Sequence, residues 1–126
     1  MNNYAKRRGG RHIVLALGLL APVLLLLPPG RGPVAAAPDV AEVRIDNFTF
    51  SPAELTIKAG TKVVFRNSDD IPHSVVMASV GVHSKALDTD DTFSFEFNTP
   101  GTIDYFCGLH PHMKGKIIVV PQMNDH

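Results

Sequence analysis

Side chains that favour soft transition metals are grouped in one short segment of the chain. The segment "YFCGLHPHM", residues 105–113, holds the only cysteine together with two histidines and a methionine. Cys107, His110 and Met113 are spaced three residues apart, so a tight loop can turn a thiolate, an imidazole and a thioether toward one point. No second cysteine exists to form a disulfide. If the protein is exported, as argued below, an odd thiol is typically reactive or bound to something, and the alternative is a cysteine simply packed in the core.

A fourth candidate ligand, His73, lies upstream of this segment. It follows Pro72, which fixes its own φ angle and keeps Ile71 extended, so the approach to His73 is rigid. Two histidines, a cysteine and a methionine are the trigonal set with a weak axial thioether that blue-copper electron-transfer sites use. Zinc is the competing metal, but a thioether is a poor zinc ligand. We therefore predict one copper ion bound by His73, Cys107, His110 and Met113.

The first forty residues differ from the rest of the chain. A basic start is followed by an apolar run of 15 residues, 13–27, and then by small residues. This order is typical of a secretory signal peptide, and the run is shorter than the roughly 20 residues that a membrane span needs. We predict a signal peptide at residues 1–36, cleaved before Ala37, with an uncleaved membrane anchor as the alternative. Residues 37–126 then form a copper-binding domain in the periplasm or another extracytoplasmic space.

Removal of this leader changes the charge of the protein. The whole chain has 12 basic and 12 acidic side chains, but five of the basic ones lie in the leader, so the mature net charge is 7 − 12, about −5. Such an acidic domain is a poor candidate for nucleic-acid binding, which depends on Lys and Arg. Two acidic clusters, Asp69-Asp70 and Asp88, Asp90 and Asp91, are expected either to steer a basic protein partner or to be solvated loops.

Alternating apolar and polar residues predict β-strands in the mature chain. The segments "TFSFEFN" (92–98) and "TIDYFC" (102–107) alternate with a period of two, which places Cys107 on an inward face at a strand end. The segment "EVRIDNFTF" (42–50) alternates until Asn47, where the phase slips as a β-bulge would allow. Two further β-branched runs are "KVVFRN" and "KGKIIVV".

Turn residues separate these strands, and helical patterns are lacking outside the leader. Gly and Pro in "KAGT" and "NTPGT" mark connections between strands, and "SVGVHSKALDTDD" is expected to be a long loop. Many short strands with regular turns favour an all-β, antiparallel sandwich or barrel in a single domain.

The mature chain resembles the cupredoxins, and among them the amicyanin branch of the plastocyanin-like proteins. The resemblance lies in "FTFSPAELTIKAGTKVVFRNSDDIPHSVV" and "FNTPGTIDYFCGLHPHMKGKIIVV", and the short C-x2-H-x2-M loop is its amicyanin-like feature. It implies a Greek-key antiparallel β-sandwich, a type 1 copper ion with the four ligands named above, and one-electron transfer rather than catalysis. It also implies redox-protein partners, such as an amine dehydrogenase. We further expect a monomer, and the acidic clusters suit a basic partner such as a c-type cytochrome.

The resemblance extends to residues around the ligands, with two departures. Asn67 resembles the asparagine that ties the two ligand loops together in this family. Gly108 and Leu109 stand where amicyanins usually have Thr and Pro, so the loop lacks a hydroxyl at this point. We hypothesise that the N–H group of Leu109, which Pro would lack, reaches the sulfur of Cys107.

The loop histidine is the expected electron port of such a site. We expect His110 to lie in an apolar docking patch formed by Leu109, Pro111 and Met77. His112 is either a solvated loop residue or a group that collects copper or adds pH-dependent charge.

Two rival functions compete with the electron carrier. One is a periplasmic copper carrier or buffer, which would expose its metal to solvent. The other is a copper enzyme, which needs an open coordination position that four protein ligands do not leave.

Overall fold

The computed structural model describes residues 10, 13–30, 32 and 37–124. The chain divides into two units, Met1–Val34 and Ala35–His126. Residues 13–30 form neither helix nor strand. Within the described part of the chain, no helix has the length and apolar character required to cross a membrane. The predicted signal peptide lies partly outside the described residues, as does its cleavage point, and both stay predictions.

The second unit is built from strands. Its described residues form nine strands and one 3₁₀ helix, Ala78–Val80. In chain order the strands are β1 (Val40–Asp46), β2 (Thr49–Ser51), β3 (Glu54–Lys58), β4 (Thr61–Asn67), β5 (Val76–Met77), β6 (Val82–His83), β7 (Thr92–Phe97), β8 (Gly101–Phe106) and β9 (Lys114–Val120).

The strands form two packed sheets, in the orders β2-β1-β4-β7 and β3-β9-β8-β5-β6. The all-β sandwich predicted from the sequence is confirmed, but both sheets are mixed rather than wholly antiparallel. β1 is parallel to β4, and β3 is parallel to β9. The chain crosses from the first sheet to the second between β2 and β3. This crossover lets the chain return as β4 beside β1 in the same direction, which a short hairpin cannot do.

The irregularity expected at Asn47 is a hairpin turn rather than a bulge. β1 and β2 are antiparallel, with Asp46 opposite Thr49, so Asn47 and Phe48 form a two-residue turn. Their φ angles are 48° and 57°, as the preferred two-residue hairpin turns require. The turn ends the alternation, so Phe50 enters the core whereas Phe48 stays exposed.

Aromatic packing dominates the core beneath the candidate ligands. The ring of Tyr105 makes edge-to-face contacts with Phe50 and Phe65, at centroid distances of 4.8 and 5.3 Å. Tyr105 lies opposite Gly115 of β9, and its ring covers that glycine. Its hydroxyl oxygen is buried without a hydrogen-bond partner among the described residues. Burial raises the pKa of Tyr105 well above its ordinary value.

We expect a Tyr105→Phe variant to be more stable than the parent by about 1 kcal/mol at neutral pH, because it removes an unpartnered buried hydroxyl. The variant should also respond differently to alkali. Above about pH 10 the unfolded parent loses the phenol proton while the folded parent retains it, so parental stability falls as pH rises. The variant lacks this contribution. Denaturant unfolding of both proteins at pH 7 and pH 10.5 measures the two effects, and a markedly less stable variant would contradict the burial argument.

Candidate metal centre

Three of the predicted ligands lie in one loop that is closed by backbone hydrogen bonds. The N–H group of His110 donates to the carbonyl of Cys107 at 3.3 Å, and that of Met113 donates to the carbonyl of His110 at 2.9 Å. The N–H group of Cys107 donates to the carbonyl of Met113 at 3.1 Å and completes the ring. This bonding between the end of β8 and the start of β9 holds the three residues in one tight turn.

His73 is held on the other side of this centre by a bridge to a separate loop. Its N–H group donates to the carbonyl of Leu87 at 3.1 Å, and its carbonyl accepts from the Leu87 N–H group at 2.7 Å. The side chain of His73 is completely buried. The histidine is therefore fixed at both its backbone and its ring.

The ligand atoms of His73, Cys107 and His110 lie within 4.8 Å of one another. Cys107 Sγ is 3.6 Å from Nδ1 of His73 and 3.7 Å from Nδ1 of His110. An ion bonded at about 2.3 Å to sulfur and about 2.0 Å to imidazole nitrogen, with angles of roughly 110–120°, requires S···N distances of about 3.5–3.7 Å. The three atoms thus fit one first-row metal ion.

The type of donor set, rather than these distances, distinguishes copper from zinc. The thiol is wholly buried and unpaired, and no carboxylate joins the three-residue group among the described residues. Met113 is buried as well, with 3% of its surface exposed, and lies at the closure of the same loop. Soft sulfur donors beside two imidazoles suit copper.

Asp69 orients the His73 ring, a role that the sequence analysis did not assign. Its Oδ2 atom lies 2.7 Å from Nε2 of His73. The carboxylate accepts this proton, so Nδ1 keeps a free lone pair for a metal. Burial raises the pKa of Asp69, but hydrogen bonds from the Phe48 and Asn47 amides and from His73 lower it by more, so the net pKa lies below its ordinary value.

Ser74 links the two ligand loops. Its N–H group donates to Cys107 Sγ at 3.3 Å, and its Oγ accepts from the Gly108 N–H group at 2.9 Å. Of the described residues, Ser74 and not Leu109 supplies the amide hydrogen bond to the sulfur, so the Leu109 hypothesis is wrong. The hydroxyl that the loop lacks at Gly108 is supplied from the opposite side.

Asn67 acts within one ligand loop instead of joining the two. Its amide group donates to the carbonyls of Ile71 and Leu87 at 2.8 and 2.9 Å, and its Oδ1 accepts from the Asp69 N–H group. These bonds brace the turn before His73 against the segment around Leu87. The expectation that Asn67 ties the two ligand loops together is therefore corrected.

We expect Gly108→Ala to break the link between the loops. The added Cβ would lie 2.8 Å from Ser74 Oγ, so the hydroxyl must rotate away and lose its hydrogen bond. The copper-free protein should lose roughly 1–2 kcal/mol of stability. Ser74→Ala should cost a similar amount, and the double variant little more than either single change, because both remove the same bond. Additive effects in denaturant unfolding would show that the two residues act independently.

Two of the three residues expected in the docking patch around His110 are exposed, and the third is not. His110 is half-buried, and Leu109 is 51% exposed beside the exposed Pro111. Met77 is fully buried in the core and takes no part in the surface. Its position in the two-residue strand β5 directs it inward. A segment this short is too brief for alternation of apolar and polar residues to show which side chain is buried. His112 is exposed.

Comparison with known proteins assigns this fold to one class of protein. A family model for the cupredoxin-like domain matches residues 15–119. Amicyanin-alpha of Methylorubrum extorquens is 41% identical over 83 residues, covering 62% of this chain and 70% of that protein. The Cu(I) form of an amicyanin variant superposes with a TM-score of 0.62 at 30% identity, covering 68% of this chain and 86% of that one.

A copper enzyme also contains this fold. The Cu-containing nitrite reductase of Thermus scotoductus SA-01 superposes with a TM-score of 0.64 at 29% identity, covering 77% of this chain but only 26% of the enzyme. The chain belongs to the cupredoxin-like family. Within that family it is similar to amicyanins and, next, to plastocyanins.

Proposed function

We propose that this protein is an exported one-electron carrier with a type 1 copper ion bound by His73, Cys107, His110 and Met113. One observation supports this proposal most directly. The buried, unpaired thiol of Cys107 lies 3.6 Å from Nδ1 of His73 and 3.7 Å from Nδ1 of His110. Bound copper supplies a Cu(I)/Cu(II) couple at this site. The similarity to amicyanins and plastocyanins supports a carrier rather than an enzyme.

The residues of this chain hold the ligands in place before metal binds. Asp69 keeps the Nδ1 atom of His73 available, and the Ser74 N–H group supports negative charge on the sulfur of Cys107. The loop closed by backbone bonds resists expansion or contraction of the site. A site that changes little between oxidation states exchanges electrons quickly, because less reorganisation precedes each transfer.

His110 is the electron port in this proposal. His73 and Cys107 are 0% exposed and Met113 is 3% exposed, whereas the His110 ring is half-buried. Of the four proposed ligands, it therefore offers the shortest route to a partner. Leu109 and Pro111 provide an apolar surface around it on which a redox protein can exclude water.

The visible and electron-spin spectra of the copper-loaded, oxidised protein test this proposal. We expect an intense blue colour, reversible reduction and slow loss of metal to chelators. Stable binding of zinc in preference to copper, or a copper form that is colourless when oxidised, would contradict it. Copper that is rapidly stripped and does not cycle would identify the carrier or buffer function instead.

We expect association with a basic redox partner to depend on salt. Asp69 is buried, and its carboxylate accepts the hydrogen bonds described above. The charges that would steer a basic partner are therefore those of the exposed Asp70, Asp88 and Asp90. The rate of electron transfer to a basic c-type cytochrome should fall about tenfold from low salt to about 0.5 M. Neutralising the three carboxylates as Asn should remove most of this dependence. An unchanged salt dependence in stopped-flow measurements would exclude these groups as the steering charges.

A further inference from the structure

Phe48 is an aromatic residue in contact with both histidines of the candidate centre. Its ring centroid lies 5.5 Å from that of His73 and 5.1 Å from that of His110, at interplanar angles of 88° and 85°. Such edge-to-face geometry is favoured between aromatic rings. The two imidazole rings are 5.0 Å apart and tilted by 56°. Phe48, His73 and His110 thus form a single three-ring cluster.

Neither the backbone nor the burial of Phe48 explains why an aromatic residue stands in this position. Its φ angle of 57° lies in the left-handed region, which bulky side chains rarely adopt and glycine adopts freely. Its side chain remains 45% exposed, so the core gains little from it. A strained backbone that carries an exposed aromatic ring beside a metal centre suggests a role in that centre.

One carboxylate joins this strained turn to the centre. Asp69 accepts hydrogen bonds from the N–H groups of Asn47 and Phe48, at 2.7 and 3.0 Å. The same carboxylate accepts from Nε2 of His73 at 2.7 Å. The turn that carries Phe48 is therefore bound to the same group that orients His73, and the two cannot move independently.

We propose that Phe48 is a positioning residue that holds the rings of His73 and His110 with both Nδ1 atoms toward Cys107. This inference rests on the proposed function. The ring reaches the centre from the β1–β2 turn, a third segment besides the two that carry the ligands. His110 depends on it more, because its ring is half-exposed whereas that of His73 is enclosed. Phe48 thereby keeps the outer ligand from rotating away and slows metal loss.

The rate at which excess EDTA removes copper from the loaded protein, followed by the loss of visible absorption, tests this role. We expect Phe48→Leu, Phe48→Ala and Phe48→Gly to release copper about tenfold faster than the parent, which is the effect of losing the aromatic pair with the more exposed His110. Phe48→Tyr retains the ring and should stay within about twofold of the parent. Val40→Ala, at the opposite end of β1 and 63% exposed, is the matched control and should not change the rate.

The glycine variant separates the ring from the backbone. Because glycine relaxes the turn, a parental rate in Phe48→Gly together with a fast rate in Phe48→Ala would assign the effect to the backbone and overturn the proposal. Parental rates in both the Leu and Ala variants would overturn it as well.

A second measurement needs no metal. In the copper-free protein we expect nuclear Overhauser contacts from the Phe48 ring to the rings of His73 and His110, and their absence would overturn the inference. A parent protein that forms no blue copper site would refute the proposed function instead. The Overhauser contacts would still report on the ring placement in that case.

Discussion

A Cys107→Ser variant is expected to lose the visible absorption of the copper protein entirely and to bind Cu(I) roughly a hundredfold to a thousandfold more weakly. This loss of affinity corresponds to about one quarter of the metal-binding free energy of a site with four protein ligands, because one of the four is removed. A serine hydroxyl does not ionise near neutral pH and offers a hard oxygen in place of a soft sulfur. The absorption depends on charge transfer from the thiolate, so it should vanish rather than weaken. Titration with Cu(I) against a competing chelator, together with absorption spectra, measures both effects.

The controls for this variant are available in the same loop. His112→Ala changes an exposed neighbour that is not a proposed ligand, so it should retain the absorption. The Cys107→Ser protein should still fold without copper, because the Ser74 N–H group can donate to the new oxygen. A folded serine variant with undiminished absorption would show that Cys107 is not a ligand.

A Gly115→Ala variant is expected to lose about 3 kcal/mol of stability, at the upper end of the cost of overpacking. The new Cβ would lie 2.1 Å from Cζ and 2.3 Å from the hydroxyl oxygen of Tyr105. The tyrosine ring cannot retreat, because Phe50 and Phe65 pack against it. The melting temperature should fall by roughly 12–24 °C for a domain of this size. Thermal and denaturant unfolding of the copper-free protein give both values.

A double-variant cycle shows whether the clash with the ring is the cause. Tyr105→Leu is destabilising alone, but it clears the space above residue 115. Adding Gly115→Ala to it should therefore cost much less than in the parent. Lys114→Ala changes an exposed neighbour on β9 and should be nearly neutral. Equal costs of Gly115→Ala with tyrosine and with leucine would contradict the packing described for this pair.

The parts of the fold and site that depend on local pattern could be predicted from the sequence. The strands follow alternation with a period of two, and the closeness of Cys107 to His110 follows from a spacing that suits a tight turn. The direction of strand pairing was not predictable in this way, because the parallel pairs β1–β4 and β3–β9 depend on where β3 crosses between sheets. The expectation that Met77 lies in the surface patch was wrong for a similar reason. Two residues of strand are too few for an apolar–polar alternation to show which side chain is buried.

The connections around the ligands were harder to predict because they join residues that are distant in sequence. The bond that Gly108 donates to Ser74 spans 34 positions, and those that the Asn47–Phe48 turn donates to Asp69 span 22 and 21. Serine and aspartate make such bonds in many settings, so their types alone indicate no partner. The hairpin turn with positive φ angles at Asn47 and Phe48 was also hard to predict. The sequence Asn-Phe lacks the glycine that usually occupies such turns.

The buried hydroxyl of Tyr105 has a consequence for where charge can travel. A phenol gives up an electron readily only when a nearby base takes its proton, and no described residue lies within reach to act as one. Oxidising this ring would create a radical cation in an apolar interior. Tyr105 is therefore a poor stepping stone for an oxidising equivalent, because its phenol offers no proton-coupled route from the candidate centre into the core.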